Sequence, residues 1–185
     1  MILIAALLFS CTPASRALVG KWECDVPFGD IIAKGGTEES DAGYSALLDT
    51  MGADFSDVTV TITLEFFGDG KYKATIDKED LRAALERYYD AVFSFASETY
   101  DTPIEEVVAT AGYSSVEDAA DQALLNFTYI DRGDYGYKRG SLTLGGATFS
   151  VALSDSSLTI SSVTSGADGA AIVRGGLLPL EFKRG

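Results

Sequence analysis

The sequence predicts a mainly β fold, an antiparallel barrel or sandwich interrupted by a helical segment, and two observations carry that prediction. Short runs that alternate apolar and polar residues recur along the chain, with Gly, Asp and Ser turns between them. Between residues 78 and 125 the apolar period lengthens from two to roughly three and a half, the spacing of a helix.

The strands follow in order. In LVGKWECDV, Leu18 to Val26, the side chains of Trp22, Cys24 and Val26 share one face and those of Lys21, Glu23 and Asp25 the other, which is the pattern of a half-buried strand. DVTVTITLEF carries the strongest signal, with Val58, Val60, Ile62, Leu64 and Phe66 inward and Thr59, Thr61, Thr63 and Glu65 outward. It reaches Gly68-Asp69-Gly70 and returns as KYKATID, where Tyr72, Ala74 and Ile76 alternate. Asp-Gly between alternating runs predicts a hairpin. FTYID from Phe127, SLTL from Ser141, ATFSVAL from Ala147, SLTISSV from Ser157 and LPLEFKR from Leu178 complete the set. Gly166 to Gly176, rich in Gly and Ala, reads as a loose loop before the last strand.

In KEDLRAALERYYDAVFSFASETY, Leu81, Leu85, Tyr88, Val92 and Phe95 form an apolar stripe at helical spacing, with Asp77 as N-cap. Thr102-Pro103-Ile104-Glu105 predicts a second helix, with Thr as cap, Pro at the first helical position and Gly112 as the stop. Ser115-Val116-Glu117-Asp118 starts a third, running to about Leu125. A short earlier helix over 41–51 places Tyr44, Leu47, Leu48 and Met51 on one side and stops at Gly52. Helices with this much apolar surface must cover something, and the open mouth of a barrel is the surface available. A moving lid and a permanent plug share this signature, because barrels of about eight strands either fill with side chains or hold one small ligand.

The ends of the chain choose the architecture. Gly20-Lys21-Trp22 in the first strand and Arg184 after the last resemble the lipocalin signature, in which the tryptophan closes one end of an up-and-down barrel and a basic side chain from the final strand lies across its ring. Leu180, Phe182 and Arg184 share a face, as that arrangement requires. The ordered set of a leader ending in cysteine, VGKWECDV, TLEFFGDGKYKATID, a helical insertion, GDYGYKRGSLTL, LSDSSLTI and LPLEFKR is similar to a family of lipocalin-like lipoproteins from gut Firmicutes. The resemblance implies an antiparallel up-and-down lipocalin-like β-barrel as one domain over residues 18–185, with a helical insertion at 78–125, and it implies export. It brings no catalytic residues.

Ile2 to Phe9 are apolar but too few to cross a bilayer, which takes about 20 residues, and they fall within the roughly 7 to 15 of a secretory signal. Leu8-Phe9-Ser10-Cys11 resembles the bacterial lipobox, although no Lys or Arg precedes the run and Phe9 is bulky for its position. A buried first strand would alternate, and this segment does not. The expectation is a signal peptide over 1–10, a linker over 11–17, and a lipid on Cys11 that partners the protein with a membrane. Each buried acyl methylene adds about 0.8 kcal/mol to that attachment. The expected location is extracytoplasmic, anchored to the bacterial cell membrane.

Composition narrows the chemistry. Lys and Arg number 14 and Asp and Glu 28, a net charge of −14 at pH 7 with no long single-sign run, so a nucleic-acid partner is not expected. Histidine is absent, so a Ser-His-Asp or Cys-His site cannot be built. Two cysteines are too few for thiolate metal clusters, and no cofactor is implied. Asp131-Arg132-Gly133-Asp134 reads as a turn and Glu38-Glu39-Ser40-Asp41 as a helix entry, neither with the ligand spacing of a calcium loop. Cys24 reads as a core thiol, with a Cys11–Cys24 disulfide as the alternative should Cys11 carry no lipid.

Ile62, Tyr72, Tyr129 and Tyr135 have the parity to face the interior, and rings with hydroxyl groups suit a small hydrophobic or amphipathic ligand. Core packing with satisfied hydroxyls is the competing reading. The expected function is non-enzymatic binding of such a ligand. The alternative is a surface protein-interaction or inhibitor module that uses the helical insertion on a plugged barrel and needs an exposed apolar patch there.

Overall fold

A computed structural model describes residues 16–34, 46, 48–127, 130–166, 172–173 and 175–185. Cys11, Tyr129, most of the 41–51 segment and Glu38 to Asp41 lie outside the described residues. Eight strands close into one antiparallel barrel: β1 (Gly20–Pro27), β2 (Thr59–Phe66), β3 (Lys71–Ile76), β4 (Ile130–Lys138), β5 (Ser141–Leu144), β6 (Ala147–Leu153), β7 (Ser157–Ser165) and β8 (Leu180–Arg184). Each strand pairs with its neighbours in sequence, and β8 returns to β1 through Trp22 opposite Arg184. The architecture is therefore the up-and-down barrel that the chain ends predict.

Register explains why the alternation works. Trp22 faces Leu64, Cys24 faces Ile62 and Val26 faces Val60, so the apolar sets of β1 and β2 enter the same interior. The first strand starts at Gly20 rather than Leu18. Leu18 lies in a turn, wholly buried, where its carbonyl accepts the indole N–H of Trp22 at 2.7 Å. The FTYID strand extends farther than expected, with β4 running Ile130 to Lys138. Asp131 to Asp134 are therefore strand and not turn, because every one of them pairs across to β3, Asp131 with Ala74 and Asp134 with Lys71.

The helices with bounds among the described residues that accompany the barrel are α1 (Phe28–Lys34), α2 (Lys78–Tyr100), α3 (Ile104–Thr110) and α4 (Val116–Leu124). The carboxylate of Asp77 caps α2 by accepting from the amides of Glu79 and Asp80 at 2.9 and 3.0 Å, as predicted. Ser115 caps α4 by accepting from the Asp118 amide at 3.1 Å. Thr102 does not cap α3. Its hydroxyl donates back to the Tyr100 carbonyl at the end of α2, which leaves Pro103 at the cap position, with its carbonyl accepting from Glu106 and Val107.

The apolar stripe of α2 also departs from expectation in its second half. Leu81, Ala84 and Leu85 bury against Phe28, Phe55, Val60, Ala120 and Leu124, but farther along Phe93 is buried while Val92 and Phe95 are only partly covered. The cause is a change of neighbour. Phe93 turns toward Val108 of α3 and Ala119 of α4, between the rings of Tyr89 and Tyr113. Ile31 and Ile76 touch both this helical core and the barrel core, so the helices continue the interior at the Pro27, Thr59 and Ile76 end. The Gly166 to Gly176 segment is not wholly a loose loop, since Ile172 and Val173 are buried in the barrel core.

Candidate functional site

The two ends of the barrel differ, and the candidate sites follow from that. One end, the turn end, holds the start of β1, the Phe67–Gly70 and Arg139–Gly140 turns and the end of β8. The other carries the helices.

Gly20, Trp22 and Arg184 come together at the turn end. The guanidinium carbon of Arg184 sits 4.3 Å from the centroid of the Trp22 ring. Its nitrogens donate to the carbonyls of Ala17, Val19 and Asp155 at 2.5, 3.2 and 2.9 Å, tying the strand's end to the chain before β1 and to the β6–β7 turn. Glycine is required at position 20 because its φ is +128° and a Cβ there would stand 3.3 Å from the Arg184 guanidinium.

The barrel interior is occupied by the protein's own side chains. Trp22, Ile62, Leu64, Phe66, Phe149 and Phe182 are all at most 1% exposed, and Leu142, Leu144, Leu158 and Ile160 fill the space between them. Ile62 is thus a core residue of this packing.

Tyr72 also points inward, and its hydroxyl donates to the Asp131 carboxylate at 2.8 Å. Burial first, and then that carboxylate, hold its phenol well above the ordinary value. Two glycines make room for it: a Cβ on Gly133 would lie 3.0 Å from the ring, and one on Gly145, at φ +54°, 2.9 Å from the hydroxyl. Tyr135 lies against Phe66 with centroids 4.9 Å apart and donates its hydroxyl to the Phe67 carbonyl at 3.1 Å. The two tyrosines therefore have protein partners for their hydroxyls. Sequence reasoning missed Asp131, although it shares the parity of Tyr135 and Tyr137 along the strand. It missed Gly133 and Gly145 because only the position of the Tyr72 ring reveals their role.

The larger described groove, about 510 Å³, is open and lies along β3 and β4, lined by Phe67, Lys71, Tyr72, Lys73, Arg132 and Gly133. Lys71 is paired with Asp134, whereas Lys73 stands between Glu65 of β2 and Arg132 of β4, with no ion pair at Lys73 or Arg132 among the described residues. A second open groove, about 370 Å³, lies at the helix end and carries Asp30, Asp49 and Asp54 beside Phe55 and Leu48.

The helical insertion is strongly acidic. Residues 78–125 hold eleven Asp and Glu against three Lys and Arg. The turn end is mixed: Lys21, Lys138, Arg139 and Lys183 lie there beside Glu23, Asp69, Asp155 and Glu181, with Lys21 paired to Glu23 and Lys183 to Glu181. Cys24 is a free, buried thiol, and burial pushes its pKa up, which makes it a core group of low reactivity. Comparison of this chain with protein-family models, curated proteins and solved structures finds no match.

Proposed function

We propose that the chain is an exported, lipid-anchored, non-enzymatic binding protein of the lipocalin-like lipoprotein kind, whose barrel is a scaffold and whose recognition surface lies outside it, on the helical insertion. The observation that carries this reading is the packing of the barrel interior by its own aromatic and aliphatic side chains, with the Tyr72 and Tyr135 hydroxyls already partnered. A ligand inside would have to displace groups that are fully buried. The exposed apolar patch expected of an interaction module does not form among the described residues: the insertion's face is acidic, with Tyr100 and Leu125 as isolated exposed apolar residues at its helix ends, so charge and not apolar area is what supports recognition there. A cationic partner suits it, since a surface of one sign speeds and selects encounters with the opposite sign. The reading of a small or amphipathic ligand has one support, the open groove beside Phe67 and Tyr72.

Native mass spectrometry of protein from its own host, before and after denaturation, separates the two. The scaffold reading expects the lipidated polypeptide alone; a small molecule released on denaturation overturns it. The same spectra test export and anchoring, for which Ile2 to Ser10 should be absent and Cys11 should carry a diacylglycerol thioether. An intact Met1 in that material would overturn the localisation.

A further inference from the structure

We propose that the turn end of the barrel is a docking surface for anionic membrane lipid, with the groove beside Phe67 receiving the headgroups. The proposal rests on the lipid-anchor reading above. Gly20 pairs with Phe66, so the chain enters the barrel at the end that carries the Phe67–Gly70 turn. Cys11 is nine residues before Gly20, a reach of at most about 30 Å, which keeps an anchored barrel close to the bilayer.

Charge then selects which end faces it. Lys73 stands between Glu65 of β2 and Arg132 of β4, so one carboxylate faces two bases there, and a bound anion would balance the second. Lys71 borders the same groove, and Phe67, 38% exposed, supplies an apolar group for the interfacial region. The acidic insertion is at the opposite end, where the negative potential of an anionic bilayer repels it. Attraction of the one end and repulsion of the other fix one orientation, with the helices projecting away from the membrane.

The test uses the full chain carrying Cys11→Ala, which takes no lipid, and co-flotation with phosphatidylcholine vesicles with and without phosphatidylglycerol. The apolar N-terminal run contributes to both vesicle types, so the difference between them reports charge. Phosphatidylglycerol is expected to raise binding by about tenfold, an effect lost as salt approaches about 1 M. Lys73→Gln with Arg132→Gln should remove most of that gain and leave binding to neutral vesicles unchanged, while Asp134→Asn, which frees Lys71, should increase it. Lys78→Gln at the helix end should change it by less than about twofold. Equal binding to both vesicle types, or a Lys78 effect as large as that of the groove pair, overturns the proposal. Saturable binding of free glycerol phosphate without a vesicle preference overturns it as well. An unmodified Cys11 in native material would instead defeat the anchor reading, which this vesicle comparison does not depend on.

Discussion

Arg184 lies across the indole of Trp22, and through it the last residues of the chain close the barrel against the first strand. The contact joins a cation–π interaction to three hydrogen bonds that its guanidinium donates to backbone carbonyls. Removing it therefore loosens three chain segments at once.

Arg184→Ala is expected to lower unfolding stability by about 2–3 kcal/mol, the sum of a ring contact and partly exposed charged hydrogen bonds. Arg184→Lys should recover less than half, because an ammonium cannot serve three carbonyls while stacking on the ring. Denaturant melts measure both. A loss below about 0.5 kcal/mol for the alanine variant would show that the barrel closes without this contact.

Tyr72→Phe should cost about 1–2 kcal/mol at neutral pH, since it strips Asp131 of its donor. The native phenol titrates above its unfolded value of about 10, so the stabilising contribution is complete below pH 10 and declines as pH rises beyond it. The stability gap between the two proteins should narrow above pH 10. A gap that widens there would reverse the sign of the argument.

Gly145→Ala places a methyl group 2.9 Å from the Tyr72 hydroxyl at a backbone φ of +54°. Its cost should be smaller in the Tyr72→Phe background, where the hydroxyl is gone, and the backbone term of about 1–2 kcal/mol should remain. A double-mutant cycle with a coupling of at least about 0.5 kcal/mol is expected. Strict additivity would mean that the ring moves aside without cost.

Asp77→Ala removes the side chain that accepts from two amides at the start of α2 and should cost about 1 kcal/mol. Asp77→Asn or Asp77→Ser should restore most of it. Failure of both replacements to recover stability would place the effect outside capping.

The strands were legible because their alternation is strict where one face is buried: Val60, Ile62, Leu64 and Phe66 leave no other register for β2. Asp77 and Ser115 were legible as caps because capping is a local contact, within three residues of chain. Thr102 misled for the same local reason, having two backbone partners within reach, one behind and one ahead, between which the sequence does not choose. Asp131-Arg132-Gly133-Asp134 has the composition of a turn, and only the partner strand β3 makes it extended.

The sequence by itself determined the periodicities, the two signature ends and the absence of histidine, since each is a property of residue order or composition. Tertiary structure alone decided what fills the barrel. Alternation says that Tyr72 and Ile62 point inward, but whether a cavity remains depends on how side chains from eight strands, together with Ile172 and Val173, add up in one volume. It also decided which charges meet. Lys73 and Arg132 are 59 residues apart in the chain and become neighbours only when β3 and β4 pair across the whole helical insertion.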